Sequence, residues 1–421
     1  MHPRENSKPS ALADGLKEEP SPLHFVPVLS LALALRALAA AFMFRTSPEI
    51  WFYDQASELT CLAHSILSGE GLSSPFGGST GPSAFLAPGY PLLVAAVYRL
   101  FGAYSLRTAA ALISLNVVFS VLTVLALMLL ANRIFGNRIA YIAGILCAIS
   151  PTMVWLPALF WETSLSTLLL TSGIVLVLRC VDRSTISSWM AFGTYCAFAL
   201  YVNPALLVTF VGIGVWAAYS SKQPSYQGPL LATATCAVLF SVWPIRNAVV
   251  LHAFVPLRSN LGYELWQGNR PGSLGFFTQA LYLNANHEEY NRYAAMGELP
   301  YMHEKSSIAV ATIKADPLRF VRLSTKRAAI FWTALGGHGI SWVVIGEITL
   351  TSMLGISGVL VLLAQRRIGG SLLMIPLLLF PLPYYVTHPD FRFRLLLQPI
   401  ALLLTAYLIH KSWKLIRPVQ R

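Results

Sequence analysis

Of 421 residues, 55% are hydrophobic and only 11% charged, and the mean hydropathy is +0.60. That excludes an ordinary soluble domain, in which about a quarter of residues carry charge. The net charge of +12 would suit nucleic acid, but the basic residues are scattered between apolar runs, as around membrane spans, so no nucleic-acid partner is expected. Five cysteines, four of them in or beside apolar runs, make no disulfide framework.

In chain order, residues 1–23 are polar and carry Pro3, Pro9, Pro20 and Pro22, which reads as a disordered cytoplasmic tail. The first apolar run is too long and starts too late for a cleaved signal, so it reads as an anchor. Apolar runs approaching the ~20 residues that cross a bilayer predict ten spans. They fall near 24–44, 107–131, 139–157, 163–180, 187–203, 205–220, 228–248, 345–364, 371–387 and 393–410. The predicted fold class is therefore an all-α polytopic membrane bundle occupying 24–410, followed by a basic cytoplasmic tail at 411–421.

Basic residues in short loops set the orientation. Arg133, Arg138, Arg179, Arg183, Lys222, Arg366, Arg367, Lys411, Lys414, Arg417 and Arg421 are all expected inside, which puts both termini in the cytoplasm. The segment 327–343, with its Gly336-Gly337 pair, is read as a bent outer segment; counting it as a span gives eleven. Polar outer regions are then the first loop (45–106), the turn carrying Glu162, a long loop of about 250–344, and His388 to Arg394. No internal repeat is visible, so the inverted-repeat pattern of many transporters is missing.

The first outer loop is rich in chemistry. Asp54 suits either an N-cap or a general base that takes a proton from an attacking hydroxyl. Glu58 follows one helical turn later, and Leu59, Leu62, Ala63, Ile66 and Leu67 make an apolar stripe suited to the membrane surface. His64 lies on the polar side of that helix. Gly69, Gly71, Gly77 and Gly78 break the pattern before Pro88-Gly89-Tyr90-Pro91 opens a second apolar segment.

Three further sites stand out. Glu162 is an acid in an otherwise apolar turn, costly at that depth and so a functional candidate or a helix N-terminal charge. Arg392 and Arg394, at the outer start of the last span, suit a phosphate because guanidinium binds its oxygens in pairs; snorkelling to headgroups is the alternative. Arg246 is a further phosphate candidate. Trp266, Gly268 and Asn269 suit sugar recognition or an ordinary Gly/Asn turn. Two outer carboxylates, Asp54 and Glu162, would also suit a divalent metal ion, though no cofactor is fixed by the residues themselves.

As a spaced set, Asp54, Glu58, Ala63, Gly69, Gly71, Pro88, Gly89, Tyr90 and Pro91 resemble the first outer loop of C-type membrane glycosyltransferases. The similar branch holds the protein O-mannosyltransferases and the lipid A aminoarabinose transferase. Glu162, the Arg392-Phe393-Arg394 element, the Trp266 to Asn269 element and Asp316-Pro317 resemble family features in the same order. The resemblance implies a bundle of about ten or eleven helices that moves a sugar, hexose or pentose, from a polyprenyl-phosphate donor to an outer hydroxyl. The acceptor, whether lipid, glycan or protein, is unknown.

The resemblance further implies Asp54 as base with Glu58 and Glu162 beside it, and Arg392, Arg394 and Arg246 at the donor phosphate. Tyr90, His64, Trp266 and Asn269 are then candidate substrate contacts. A single displacement would invert the sugar carbon, with the site outside a plasma membrane. Two departures are that Gln55, not Glu, follows Asp54, and that no sizeable soluble domain follows the last span. A transporter or lipid flippase, favoured only by Arg36 inside the first span, and a non-catalytic binder of lipid-linked sugar remain the alternatives.

Overall fold

The computed structural model describes residues 22–46, 58–221, 226–335 and 340–416. Each predicted apolar run is found there as one helix or as two in succession. Val26–Thr46 forms α1, and the first loop contributes Glu58–Leu67 (α2) and Gly89–Phe101 (α3). Next come Leu106–Phe135 (α4), Asn137–Ile149 (α5), Pro151–Trp155 (α6), Thr163–Arg183 (α7), Ile186–Val202 (α8) and Leu207–Ser220 (α9). Gln227–Phe240 (α10) continues into Val242–Leu251 (α11).

The long segment after α11 carries Leu261–Asn269 (α12), His287–Met296 (α13), Glu298–Ala315 (α14) and Pro317–Thr333 (α15). Trp342–Ala364 (α16), Ile368–Leu379 (α17), Leu382–Val386 (α18), Phe391–Leu395 (α19) and Gln398–Ile416 (α20) complete the chain. No strand occurs among the described residues, so the fold is all-α. Six helical segments are long and apolar enough to cross a membrane, and seven if the bent pair α5–α6 is one span. This is an integral membrane protein. Three of the ten predicted spans are not among these segments: 187–203 and 205–220 fold as the shorter apolar helices α8 and α9, and 393–410 falls on α19 and α20.

The break between α5 and α6, a 59° bend, follows from Pro151. Proline has no N–H, so the carbonyl of Cys147 loses its helical partner. Arg36 fills the gap from α1: Nη2 donates to Cys147 O at 3.0 Å, Nη1 to Ala148 O at 3.1 Å and Nε to Ser120 Oγ at 2.7 Å. On the other side Glu347 of α16 accepts from Thr152 N at 2.8 Å, from Ser150 Oγ, and from Gln398 Nε2 at 3.1 Å. Arg36 and Glu347 thus splice a broken helix.

The membrane core is one apolar cluster in which α4 packs against α7 and α5, α16 against α20, and α8 against α10. A second cluster, Phe76, Phe85, Tyr263, Trp266, Tyr293 and Tyr301, seats the first loop on α12 to α14. Glu298 stitches the two together, accepting from Ala84 N at 2.8 Å, Ser259 Oγ at 2.7 Å and Tyr293 OH at 3.1 Å. The first loop and α12 to α14 therefore form one cap over one end of the spans.

Candidate functional site

Between that cap and the bundle lies a polar cavity of about 420 Å³. Four carboxylates line it: Glu58 from α2, Glu162 from the turn before α7, Glu264 from α12, and Asp390 from the turn before α19. Two guanidiniums, Arg258 and Arg392, and the imidazole of His388 face them, with Trp161, Phe277, Tyr282 and Phe393 as aromatic wall. Segments far apart in sequence thus converge at one end of the spans.

Glu58 opens α2 and is 4% exposed. Burial pushes its carboxyl up to about 7; the charges of Arg392 and Arg258 oppose this, while Glu264 adds to it. Such a group exchanges protons near neutral pH. Glu162 holds the N-cap position of α7, yet its side chain makes no capping bond. Its carboxylate instead lines the cavity beside Trp161.

Arg392 and Asp390 form a tight pair, with Nη2 to Oδ2 at 2.9 Å, Nε to Oδ2 at 3.1 Å, and the Arg392 amide on Oδ1 at 2.9 Å. Burial alone would raise Asp390, but the contact with Arg392 outweighs it and holds this carboxyl below its ordinary value. Arg392 also lies 4.9 Å above the Trp161 ring. Glu264 accepts from His388 Nε2 at 2.6 Å and from Asn260 Nδ2 at 2.8 Å. Burial raises it, and the hydrogen bond and charge of His388, with Arg258, bring it below the usual carboxylate range. Arg258 donates Nε to Phe85 O at 2.9 Å, and its two terminal nitrogens carry no hydrogen bond among the described residues.

The expected residues fall into three groups. Glu58, Glu162 and Arg392 share the cavity. Asp54, four residues before Glu58, lies outside the described residues. The others do not line the cavity. Tyr90 is buried and donates to Asn116 Oδ1 at 3.0 Å; Asn116 Nδ2 in turn holds the carbonyls of Pro157 and Leu159 at 3.2 Å, ahead of Trp161 and Glu162. That relay ties it to the segment leading into the cavity. His64 is exposed and stacks on Tyr104 with centroids 6.0 Å apart.

Arg394 is fully buried on Ser352 Oγ, at 3.0 and 3.2 Å, with its guanidinium over Trp332. Arg246 donates to the carbonyls of Ser83 and Leu72, both at 2.8 Å, pinning the first loop to α11. Trp266 sits in the aromatic cluster with Lys305 Nζ 4.2 Å above its ring. Asn269 is buried, donating to Val386 O at 2.9 Å and accepting from Arg327 Nη2 at 3.0 Å.

Arg258, Glu264, His388 and Asp390 were not singled out by the sequence reading. The signal available was the density of polar groups in His388-Pro-Asp390-Phe-Arg392, where only the arginines drew attention. Among the described residues no three His, Cys, Asp or Glu side chains gather as a metal site; Asp54, expected beside Glu162 at such a site, lies outside the described residues.

The wall of the cavity depends on Arg327. From α15 this buried guanidinium donates to Gly268 O, Gly275 O (3.1 Å), Tyr385 O (3.2 Å) and Val386 O (2.9 Å), joining the end of α12 to the segment before His388. Gly268 is required there, since a Cβ would meet Thr387 O at 1.8 Å. Arg327→Met takes the guanidinium from Gly275 O and Tyr385 O, while Gly268 O keeps Ser273 Oγ and Val386 O keeps Asn269 Nδ2; each buried carbonyl left unpaired costs roughly 1–3 kcal/mol. The expected result is a loss of about 3 kcal/mol or more of stability, read as a lowered unfolding temperature in detergent; an unchanged temperature would contradict this role.

Comparison with known proteins gives one match to a family model, that of the dolichyl-phosphate-mannose-protein mannosyltransferases, over residues 86–245. No curated protein matches. A crystal structure of the Archaeoglobus fulgidus oligosaccharyltransferase, in complex with zinc and sulfate, is 12% identical with a TM-score of 0.49, over 92% of this chain and 49% of that one. The chain thus spans about half the length of that protein. ArnT from Cupriavidus metallidurans, bound to undecaprenyl phosphate, is 12% identical with a TM-score of 0.45, over 94% of this chain and 79% of that one. Over residues 86–245, which contribute Trp161, Glu162 and Asn203 to the cavity, the chain is similar to the dolichyl-phosphate-mannose-protein mannosyltransferases, the group of C-type glycosyltransferases that its first loop and Glu162 already resemble.

Proposed function

We propose that the cavity transfers a sugar from a polyprenyl-phosphate donor to a hydroxyl acceptor on the outer side of the membrane. The observation that carries this reading is the presence in one cavity of a buried carboxyl near neutrality, Glu58, and two guanidiniums, Arg258 and Arg392. The volume of about 420 Å³ suits a ligand headgroup, within the roughly 300–1,000 Å³ of small-molecule sites.

In the proposed step the acceptor oxygen attacks the anomeric carbon. Its proton passes to a carboxylate of the first outer loop. The carbon–oxygen bond to phosphate breaks, and its electron pair leaves on the polyprenyl phosphate, which the guanidiniums stabilise. One displacement inverts the sugar carbon. Asp54 is the base that the family resemblance implies; Glu58 is the carboxylate whose described surroundings support the role.

Arg133, Arg138, Arg179, Arg183, Arg366 and Arg367 sit at helix ends opposite those that meet the cavity, which supports a cytoplasmic assignment for them and an outer cavity. The transporter reading is weakened because Arg36 and Glu347, inside the spans, are committed to the α5–α6 break.

The test is transfer in membranes supplied with labelled polyprenyl-phosphate sugars, comparing wild type, Asp54→Asn and Glu58→Gln. Label should appear on an acceptor with the wild type and be lost with whichever variant removes the base. Transfer undiminished in both variants would remove the first loop from the chemistry.

A further inference from the structure

The helix α15 has two unlike faces. Leu323, Arg327 and Phe331 repeat every fourth residue and are buried against the bundle. The opposite face presents Leu318, 79% exposed, and Val321, 57% exposed, with Thr325 and Ala329 continuing the same arc. Arg322 and Lys326 flank that arc, and Lys326 Nζ reaches Leu274 O at 3.4 Å, where Leu274 adds a further exposed apolar side chain. The helix carries four basic residues and no acidic one.

Its position limits what can cover this face. The helix lies across α16, α18 and α19, at the ends of those segments that border the cavity, and Trp342, which opens α16, is itself 80% exposed. A basic, amphipathic helix laid over the mouths of membrane spans, apolar side outward, meets a lipid headgroup layer.

We propose that α15 is a membrane-surface helix: Leu318 and Val321 enter the acyl boundary of the leaflet on the cavity side, and Arg322 and Lys326 bind lipid phosphates. Because Arg327 on its inner face ties α12 to the segment before His388, this contact sets the cavity wall at headgroup height. The inference does not depend on what reaction the cavity performs.

The test uses the full chain in nanodiscs of phosphatidylethanolamine and phosphatidylglycerol. In a background without native cysteines, a fluorophore on Leu318→Cys is compared with one on the exposed His303→Cys of α14, using lipids with a nitroxide near the headgroup. Quenching at position 318 is expected to exceed that at 303 by roughly twofold or more. Equal quenching at both positions overturns the proposal. If the cysteine-free background fails to fold, carbene-generating lipids applied to the unmodified protein read the same contact. Label on the peptide 317–333 but not on 287–296 supports it, and label absent from 317–333 overturns it.

Discussion

Glu58→Gln is expected to lower sugar transfer by about 10²–10⁴-fold, the range that a positioned general base contributes. Glutamine keeps the volume and one acceptor oxygen, so the 4%-exposed site still fills and the protein should accumulate normally. The pH dependence gives the sharper reading. With its carboxyl pushed up to about 7 by burial, Glu58 holds a proton below that pH and cannot accept another. Transfer by the wild type should therefore rise with pH and level off above about 7, while the residual rate of the variant should lack that limb. A limb preserved in Glu58→Gln would move the base elsewhere, first to Asp54. Linkage has the opposite sign for stability. Between the ordinary glutamate value of about 4.3 and the raised one, the folded state binds a proton that the unfolded chain has lost. Stability should therefore fall as pH rises through that window.

Arg258→Met should cost about 10²–10³ in transfer, as for other preorganised groups that meet developing charge. Its terminal nitrogens have no partner among the described residues, so the Nε bond to Phe85 O is the one hydrogen bond to them that the substitution removes. Arg392→Met should reduce transfer at least as far and also destabilise the fold, because Asp390 is left without the guanidinium that holds it ionised. Arg246→Met separates a phosphate contact from a structural one. Its bonds run to the carbonyls of Ser83 and Leu72, so the expected effect is a lower unfolding temperature with donor KM unchanged. A raised donor KM in Arg246→Met, with Arg258→Met unaffected, would reverse the assignment.

The membrane fold was legible because apolar runs and basic loops are one-dimensional signals. Pro151 explains why a predicted span is bent, but the rescue of Cys147 by Arg36 crosses 111 residues and has no local signature. The site was legible where an acid interrupts an apolar run, as at Glu162, or opens an apolar helix, as at Glu58. The arginines show the limit. Arg392 and Arg394 are two residues apart, yet one lines the cavity and the other turns into the bundle against Ser352. In a short helix, positions two apart point to different sides, and the sequence alone does not say which side faces the ligand. Arg258 and Glu264 lie in a polar loop where charged residues are ordinary; only the folding of α12 onto the first loop brings them to Glu58.

The central claim is that the cavity breaks the bond between sugar and lipid phosphate. The most direct test reconstitutes the protein in liposomes with a donor labelled separately on sugar and lipid, and follows both labels with an outer acceptor present. The labels are expected to part, with free polyprenyl phosphate formed at the rate of sugar transfer, and Glu58→Gln and Arg258→Met are expected to slow the separation by about 10²-fold or more. Labels that stay together while the intact donor crosses the bilayer would contradict it and identify a lipid transporter.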